Sequence, residues 1–381
     1  MELIKQNFAV NYTYPVLFIN SLFEPGKNKF LKIFEELAIA DGARFLIVVD
    51  SNVAKAQPAL IPSIELFFRL HPFNLLASPV LIDGGEVCKN SLSYTESIWQ
   101  LINKYGVDRH AYLMAIGGGA LLDVAGFAAS VAHRGIRHIR VPTTVLSQND
   151  SGVGVKNGIN YFGKKNFLGC FATPFAVIND SAFLNTLSNR DFRSGIAEAI
   201  KVALIRDADF FNYLETNAEA LNKRQPAATM YMIKRCAELH LQHIASADPF
   251  EQGNSRPLDY GHWSAHKLEQ LSNFNVLHGE AVAIGMCLDA VYAFKMGILS
   301  SADMHRIINL VKQLGFKIYN KHLDDKDAVQ NEVLNGLDEF REHLGGQLTI
   351  MLLTTIGIGT EVNCMDNSVL MESITYLKQA N

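Results

Sequence analysis

The chain has 381 residues, a formal net charge of −4, 49% hydrophobic and 19% charged residues. That length exceeds one ordinary core and predicts two domains, and the composition is that of a folded globular protein, not a disordered one. The charge balance argues against nucleic-acid or acidic-membrane binding, while leaving room for a local basic pocket. The scattered cysteines Cys88, Cys170, Cys236, Cys287 and Cys364 form no CxxC pair, which fits reduced thiols better than a disulfide framework. Met1 to Asn20 lacks a signal-peptide pattern, and no apolar run reaches the ~18 residues of a spanning helix, so a cytoplasmic location is expected.

In chain order, Arg44–Asp50 (RFLIVVD) reads as a buried strand closed by the polar turn Asp50-Ser51-Asn52. Pro79–Ile82 is a second strand, followed by Asp83-Gly84-Gly85-Glu86, and Leu92–Tyr105 has helical apolar spacing. Ala111–Ile116 is a third strand running into Gly117-Gly118-Gly119 and a helix over Ala120–Val131. Ile136–Val141 is a fourth, closed by Pro142-Thr143-Thr144. Strands separated by helices predict an α/β, Rossmann-like domain with a parallel sheet over residues 1–189. From 190 to 381 the periodicity becomes helical, with segments 192–206, 208–221, 225–246, 260–271, 278–297 and 301–314, which predicts an all-α second domain. Stretches 248–259 and 320–335 read as loops.

The polar turns all follow strand C-termini: Asp50 and Asn52, Glu86 and Lys89, Gly117 to Asp123, and Thr143-Thr144. Ligands of open α/β sheets bind at that edge, and a glycine turn before a helix admits phosphates. The triplet does not fit GxGxxG, so alone it is equally a tight turn. His262 and His266 lie four residues apart on one predicted helix face, and His278 opens an apolar helix. A single histidine is more often structural than ligating, and HxxxH here lacks the adjacent glutamate of a zincin, since Trp263 follows His262. Glu198, inside an otherwise apolar helix, needs a partner to stay charged. Two imidazoles and a carboxylate suit zinc or a similar divalent ion with positions left for substrate oxygens. Segment 134–166 reads as a connection rich in polar groups, with Lys156 in a glycine-rich loop. Its Arg134, Asp150, Lys156, Lys165 and Asn166 could join Lys201 in binding a phosphate, or could be solvated loop residues.

Taken together, GGGALLDVAGF (117–127), HRGIRHIRVPTTVLSQNDSGVGVKNGIN (133–160), GKKN (163–166), FRSGIAEAIK (192–201), GHWSAH (261–266) and LHGEAVAIGM (277–286) resemble the dehydroquinate synthase superfamily of sugar-phosphate cyclases. The resemblance runs from about residue 45 to 357. It implies a divalent metal (Zn or Co) on Glu198, His262 and His278. It implies NAD contacts at Asp50, Asn52, Glu86, Lys89, Gly118, Gly119, Asp123, Thr143, Thr144, Thr186 and Leu187, with Lys165 near the cofactor. It assigns the phosphorylated sugar substrate to Asp150, Lys156, Asn166, Lys201 and His266, with Arg134 offered across a homodimer interface. The implied reaction is transient oxidation, phosphate elimination, re-reduction and intramolecular aldol closure to a carbocycle.

The chain departs from true dehydroquinate synthases near the first GH motif. It reads Arg256-Pro257-Leu258-Asp259-Tyr260-Gly261-His262, with Asp259 where the family carries asparagine and the arginine one place closer. His240–His243 stands where a basic lysine is expected, and Phe340–Gly346 replaces paired lysines. These features are more similar to the dehydroquinate-synthase-like proteins of ebo-type gene clusters, and EFREHLGG also to cyclases acting on sedoheptulose 7-phosphate. The alternatives are a true 3-dehydroquinate synthase, a glycerol-dehydrogenase-like polyol dehydrogenase and a non-catalytic NAD-binding scaffold.

Overall fold

The computed structural model describes residues 1–23, 29–246, 248–250, 257–324, 332–343 and 346–381. Two compact units emerge: residues 1–143 with 154–183, and residues 144–153 with 184–381.

The first unit is built on a seven-stranded sheet. In chain order its elements are β1 (Val16–Ile19), α1 (Lys29–Glu36), β2 (Arg44–Asp50), α2 (Ser51–Ala56), α3 (Leu60–Leu70), β3 (Asn74–Leu75), β4 (Val80–Ile82), α4 (Leu92–Tyr105), β5 (Tyr112–Gly117), α5 (Gly119–Val131), β6 (Arg137–Pro142), β7 (Lys156–Tyr161), β8 (Lys164–Phe171) and β9 (Ala176–Asp180). Every pairing in the sheet is parallel, in the order β1-β9-β6-β5-β2, with β3 and β4 taking successive stretches of the far edge of β2. Side chains alternate between two cores. Phe45, Ile47 and Val49 face one with Tyr112, Met114 and Ile116, while Leu46 and Val48 face the other with Leu113 and Ala115. Burial on both faces explains why β2 reads as a continuous apolar run. β7 and β8 form a separate antiparallel hairpin. This corrects the loop expected around Lys156, which instead opens a strand.

The second unit comprises α6 (Asn189–Arg206), α7 (Ala208–Thr216), α8 (Ala218–Asn222), α9 (Pro226–Ile244), α10 (His262–Leu271), α11 (His278–Lys295), α12 (Ser301–Gln313), α13 (Asn335–His343), β10 (Ile350–Thr355), β11 (Ile358–Val362) and α14 (Asn367–Ala380). It is helical as expected, with one antiparallel hairpin, β10–β11, added. Its inclusion of Thr144–Val153 differs from a single division at 189/190. The turn over these residues is fastened to α6, where Asn149 Nδ2 donates to the Gly195 carbonyl at 2.8 Å. Of the two expected loops, 251–256 and 325–331 lie outside the described residues; Pro257–Asp259, Lys321–Leu323 and Glu332–Leu334 are short 3-10 turns. Among the described residues, no helix is long and apolar enough to cross a membrane.

Candidate active site

The carboxyl ends of β4, β2, β5 and β6, neighbours in that lateral order, deliver polar groups to one edge of the first unit. The strand order reverses between β2 and β5, because the chain runs outward from β2 to β4 and then resumes on the other side at β5. Such a switch point opens a crevice for a nucleotide. Asp50 ends β2, and its Oδ1 accepts from the Asn52 amide at 2.8 Å. Burial raises its pKa, against the hydrogen bonds from Asn52 and Val53. Gly84 has no room for a side chain: a Cβ there would lie 1.8 Å from Asp50 Oδ2. Gly118 and Gly119 start α5, and the Thr143 amide donates to the Gly117 carbonyl at 3.0 Å.

Lys89 joins three of the sequence-named groups. Its Nζ lies 2.6 Å from Asp123 Oδ2 and 2.5 Å from Asn166 Oδ1. Burial opposes the charge on Lys89, but Asp123 and Glu86 outweigh it and raise the pKa. Asn160, which sequence reasoning did not single out, completes the network: it donates to Glu86 Oε1 at 2.7 Å and accepts from the Asn166 amide at 2.9 Å. Arg134 is exposed in the turn before β6, Lys156 is exposed at the start of β7, and Lys165 is half-buried on β8.

The second unit assembles the metal-ligating candidates. Glu198, on α6, is fully buried. Neither of its oxygens accepts a hydrogen bond of good geometry, and charge contacts alone hold the carboxylate. His278 Nε2 lies 3.2 Å and His262 Nε2 3.8 Å from Glu198 Oε1. The opposite nitrogens are already engaged, His262 Nδ1 with the Tyr260 carbonyl at 3.0 Å and His278 Nδ1 with Glu269 Oε2 at 3.1 Å. Carbonyl and carboxylate partners of that kind fix ring orientation and leave Nε2 for an ion. The three residues offer ligand atoms within 4.8 Å of one another. The donor set and its geometry therefore fit a divalent ion.

The surrounding residues set the protonation states. Burial, with Lys201 and against Glu198, pushes the His262 pKa down to about 3, so its ring is neutral. Burial also opposes charge on His278, but the Glu198 and Glu269 carboxylates on its two sides prevail and lift its pKa to about 9. Despite complete burial, Lys201 and the two histidines hold Glu198 well below the usual carboxylate range. Lys201, one turn along α6, pairs with Glu198 and lies 3.7 Å from Asp150 Oδ2. Asp150 in turn meets His240 Nδ1 at 3.2 Å, and burial raises its pKa. The His266 ring stands 5.4 Å from that of His262 and 6.2 Å from that of His278.

Local packing fixes these helices. Gly279 opens α11 so close to α6 that a Cβ would meet the Ser194 carbonyl oxygen at 2.2 Å. Gly261 adopts φ +76°, which sets the start of α10, and its amide donates to Asp289 Oδ2 at 3.0 Å. The other oxygen of this buried carboxylate accepts from Trp263 Nε1 at 2.9 Å. His262 is thus flanked on both sides by residues tied to Asp289.

The structure therefore groups Glu198, His262, His278, Lys201, Asp150 and His266 in one unit, and Asp50, Glu86, Lys89, Gly118, Gly119, Asp123, Thr143 and Asn166 in the other. Thr144, Thr186 and Leu187 belong to the helical unit: Thr144 Oγ1 meets Ser147 Oγ at 2.9 Å, and the Leu187 carbonyl accepts from Arg224 at 2.8 Å. Sequence reasoning missed Glu269, Asp289 and the pairing of His240 with Asp150. Glu269 was accessible, since it lies on the helical face of His262 and His266. Asp289 carries the signal that marked Glu198, an acid inside an apolar helix.

Residues 79–194 match the 3-dehydroquinate synthase N-terminal family and residues 195–334 the 3-dehydroquinate synthase C-terminal family. The chain belongs to the 3-dehydroquinate synthase family. It is 36% identical over 315 residues to a 3-dehydroquinate synthase of Shewanella sp. (strain MR-4), covering 82% of this chain and 84% of the relative. Its fold matches ValA, the 2-epi-5-epi-valiolone synthase of Streptomyces hygroscopicus subsp. jinggangensis 5008 solved with NAD+ and Zn2+ bound, at TM-score 0.87 and 28% identity, over 99% of this chain and 100% of that one. It also matches a 2-deoxy-scyllo-inosose synthase complexed with carbaglucose-6-phosphate, NAD+ and Co2+, at TM-score 0.77 and 23% identity, over 94% and 95% of the two chains.

Proposed function

We propose that this chain is an NAD- and metal-dependent sugar-phosphate cyclase that converts a phosphorylated ketose-type sugar into a carbocycle. The steps would be transient oxidation, phosphate elimination, re-reduction and intramolecular aldol closure. The observation that carries this reading is the convergence of His262 Nε2 and His278 Nε2 on the sealed Glu198 carboxylate, with both Nδ1 atoms engaged. Family membership supports it, as does the structural likeness to a valiolone synthase that holds NAD+ and Zn2+. When bound, NAD supplies a reversible hydride acceptor and the ion a Lewis acid for substrate oxygens.

In this reading Glu198, His262 and His278 hold a zinc or cobalt ion. Asp50 and Asn52 take the ribose, Gly118, Gly119 and Asp123 line the phosphate turn, and Glu86, Lys89, Thr143, Thr144, Lys165, Thr186 and Leu187 complete the NAD site. Lys201 stays protonated beside two carboxylates and presents a cation to a substrate oxygen. Asp150, with its raised pKa and its histidine partner, holds or releases a proton on the substrate. His266 orients the sugar, while Lys156, Asn166 and Arg134, the last from a second copy in a homodimer, bind the phosphate.

In this reading the substrate differs from that of dehydroquinate synthase, because residues near His262 depart from the pattern expected of that enzyme. Asp259 lies near enough to Lys201 to help raise its pKa, an added negative charge where the family has an amide. His240, in the stretch His240–His243 where a lysine is expected, lies 3.2 Å from Asp150. A substrate carboxylate needs cations, and these exchanges shift the charge balance against it. Of the other departures, Arg256, Leu344 and Gly345 lie outside the described residues, while Phe340–His343 form the end of α13. The second reading, a true 3-dehydroquinate synthase, is favoured by the 36% identity. Metal- and NAD-loaded protein incubated with a panel of sugar phosphates separates the two. Turnover of another heptulose phosphate is expected, and efficient dehydroquinate formation with no other turnover would establish the second reading instead.

A further inference from the structure

The helical unit contains a second polar cavity, of about 490 Å³. Among the described residues its lining includes Arg190, Arg193, Lys317, Lys321 and His322 against a single acid, Glu280. This cavity lies away from the ligand cluster. Glu280 is two residues beyond His278 on α11, about 200° around the helix, and therefore faces the opposite side. Arg193 precedes Glu198 by five residues on α6, about 140° around the axis and more than a turn away.

Glu280 is already committed. Arg190 grips it with two charge-assisted bonds, Nε to Oε1 and Nη2 to Oε2, each 2.6 Å. Arg193 gives Nη1 to the Gly315 carbonyl at 2.7 Å and Nε to the Asn189 carbonyl at 3.3 Å, both neutral acceptors, and shares Glu280 only at longer range with Arg190. Lys317 and Lys321 are exposed and make no ion pair with the described acids. Four permanent cations thus line one concavity with one paired carboxylate, in a chain whose net charge is −4. Like charges gathered around a cavity repel one another unless an anion is drawn in, and the field of such a cleft concentrates anions.

The geometry points to a binding site for a small, multiply charged anion of the diphosphate class, held by Lys317, Lys321 and Arg193 and separate from the Glu198 cluster. Lys317 and Lys321 supply point charges, and Arg193 keeps the N–H groups of Nη2 beyond those it gives to Asn189 and Gly315. The cavity has room for a ligand larger than an inorganic ion, so the diphosphate is the recognised group and its organic portion occupies the remaining volume.

Inorganic pyrophosphate is the probe. It is titrated calorimetrically into the metal- and NAD-loaded protein and into the Lys317→Ala/Lys321→Ala variant, whose unchanged thermal midpoint shows that it folds. Any heat from pyrophosphate meeting the metal is common to both proteins, so the difference between them is the readout. Saturable binding to the unaltered protein, weakened about tenfold or more in the variant, is expected, because two charged contacts are lost. Equal binding by the two proteins, or no saturable binding by the unaltered protein, overturns the assignment.

Discussion

The Nδ1 atom of His278 lies 3.1 Å from Oε2 of Glu269, a carboxylate only 4% exposed. A buried acid on that side of the ring turns its other nitrogen toward Glu198 and makes it a better donor. Glu269→Ala therefore weakens zinc binding by about 10- to 100-fold. Competition against a chromogenic chelator measures it, and unchanged affinity would remove Glu269 from the account.

The same contact makes metal binding pH-dependent. With its pKa near 9, His278 carries a proton at neutral pH in the metal-free protein, and an ion must displace that proton from Nε2. Zinc affinity is expected to rise about tenfold per pH unit up to about 9 and then level off. The stability of the metal-free protein runs the other way. A folded pKa raised above 6.5 contributes fully below that value, and the contribution disappears as pH rises through about 9. Chelator competition at three pH values tests the first trend, and thermal midpoints of the metal-free protein test the second.

Lys201 neutralises two acids in a sealed setting, with its side chain 4% exposed. Lys201→Met removes the ammonium that Glu198 and Asp150 share and leaves them only their histidine partners, at a cost of about 3–5 kcal/mol in the metal-free protein. Zinc replaces part of that charge, so metal should restore more stability to the variant than to the unaltered protein. Urea unfolding with and without zinc measures this, and equal metal stabilisation of the two proteins would contradict it.

Asp289 is not one of the three candidate ligands, yet it holds the residues on both sides of His262. Burial lifts its pKa to about 7, against the hydrogen bonds from Trp263 and Gly261. Asp289→Ala orphans both donors, and each buried orphan costs about 1–3 kcal/mol. The variant is expected to show a lower thermal midpoint together with weaker zinc binding. A midpoint loss with unchanged zinc affinity would confine Asp289 to folding.

The alternation of strand and helix was legible because β2 and β5 are buried on both faces, leaving apolar runs bounded by polar turns. The helix Leu92–Tyr105 was legible to the residue, since Ser91 caps its start and Gly106 closes it with a left-handed turn. The β7–β8 hairpin was not, because its strands carry lysine, asparagine and glycine, and β8 is largely exposed although the middle of β7 is buried. Nor was β10–β11, a short pair within a helical half. Glu198, His262 and His278 were readable as residue types, and the resemblance joined them. Their supports, Glu269 and Asp289, carried local signals, but which groups they hold across 9 and 26 to 28 residues follows from packing.

The most direct test of the central claim is the stoichiometry of turnover. Metal-loaded protein is mixed with NAD at the enzyme concentration and an excess of an accepted sugar phosphate, while inorganic phosphate and absorbance at the NADH wavelength are followed. A cyclase releases many phosphates per NAD with no net NADH, because the hydride returns to the same molecule. Accumulation of NADH without phosphate release would contradict the account and identify a dehydrogenase.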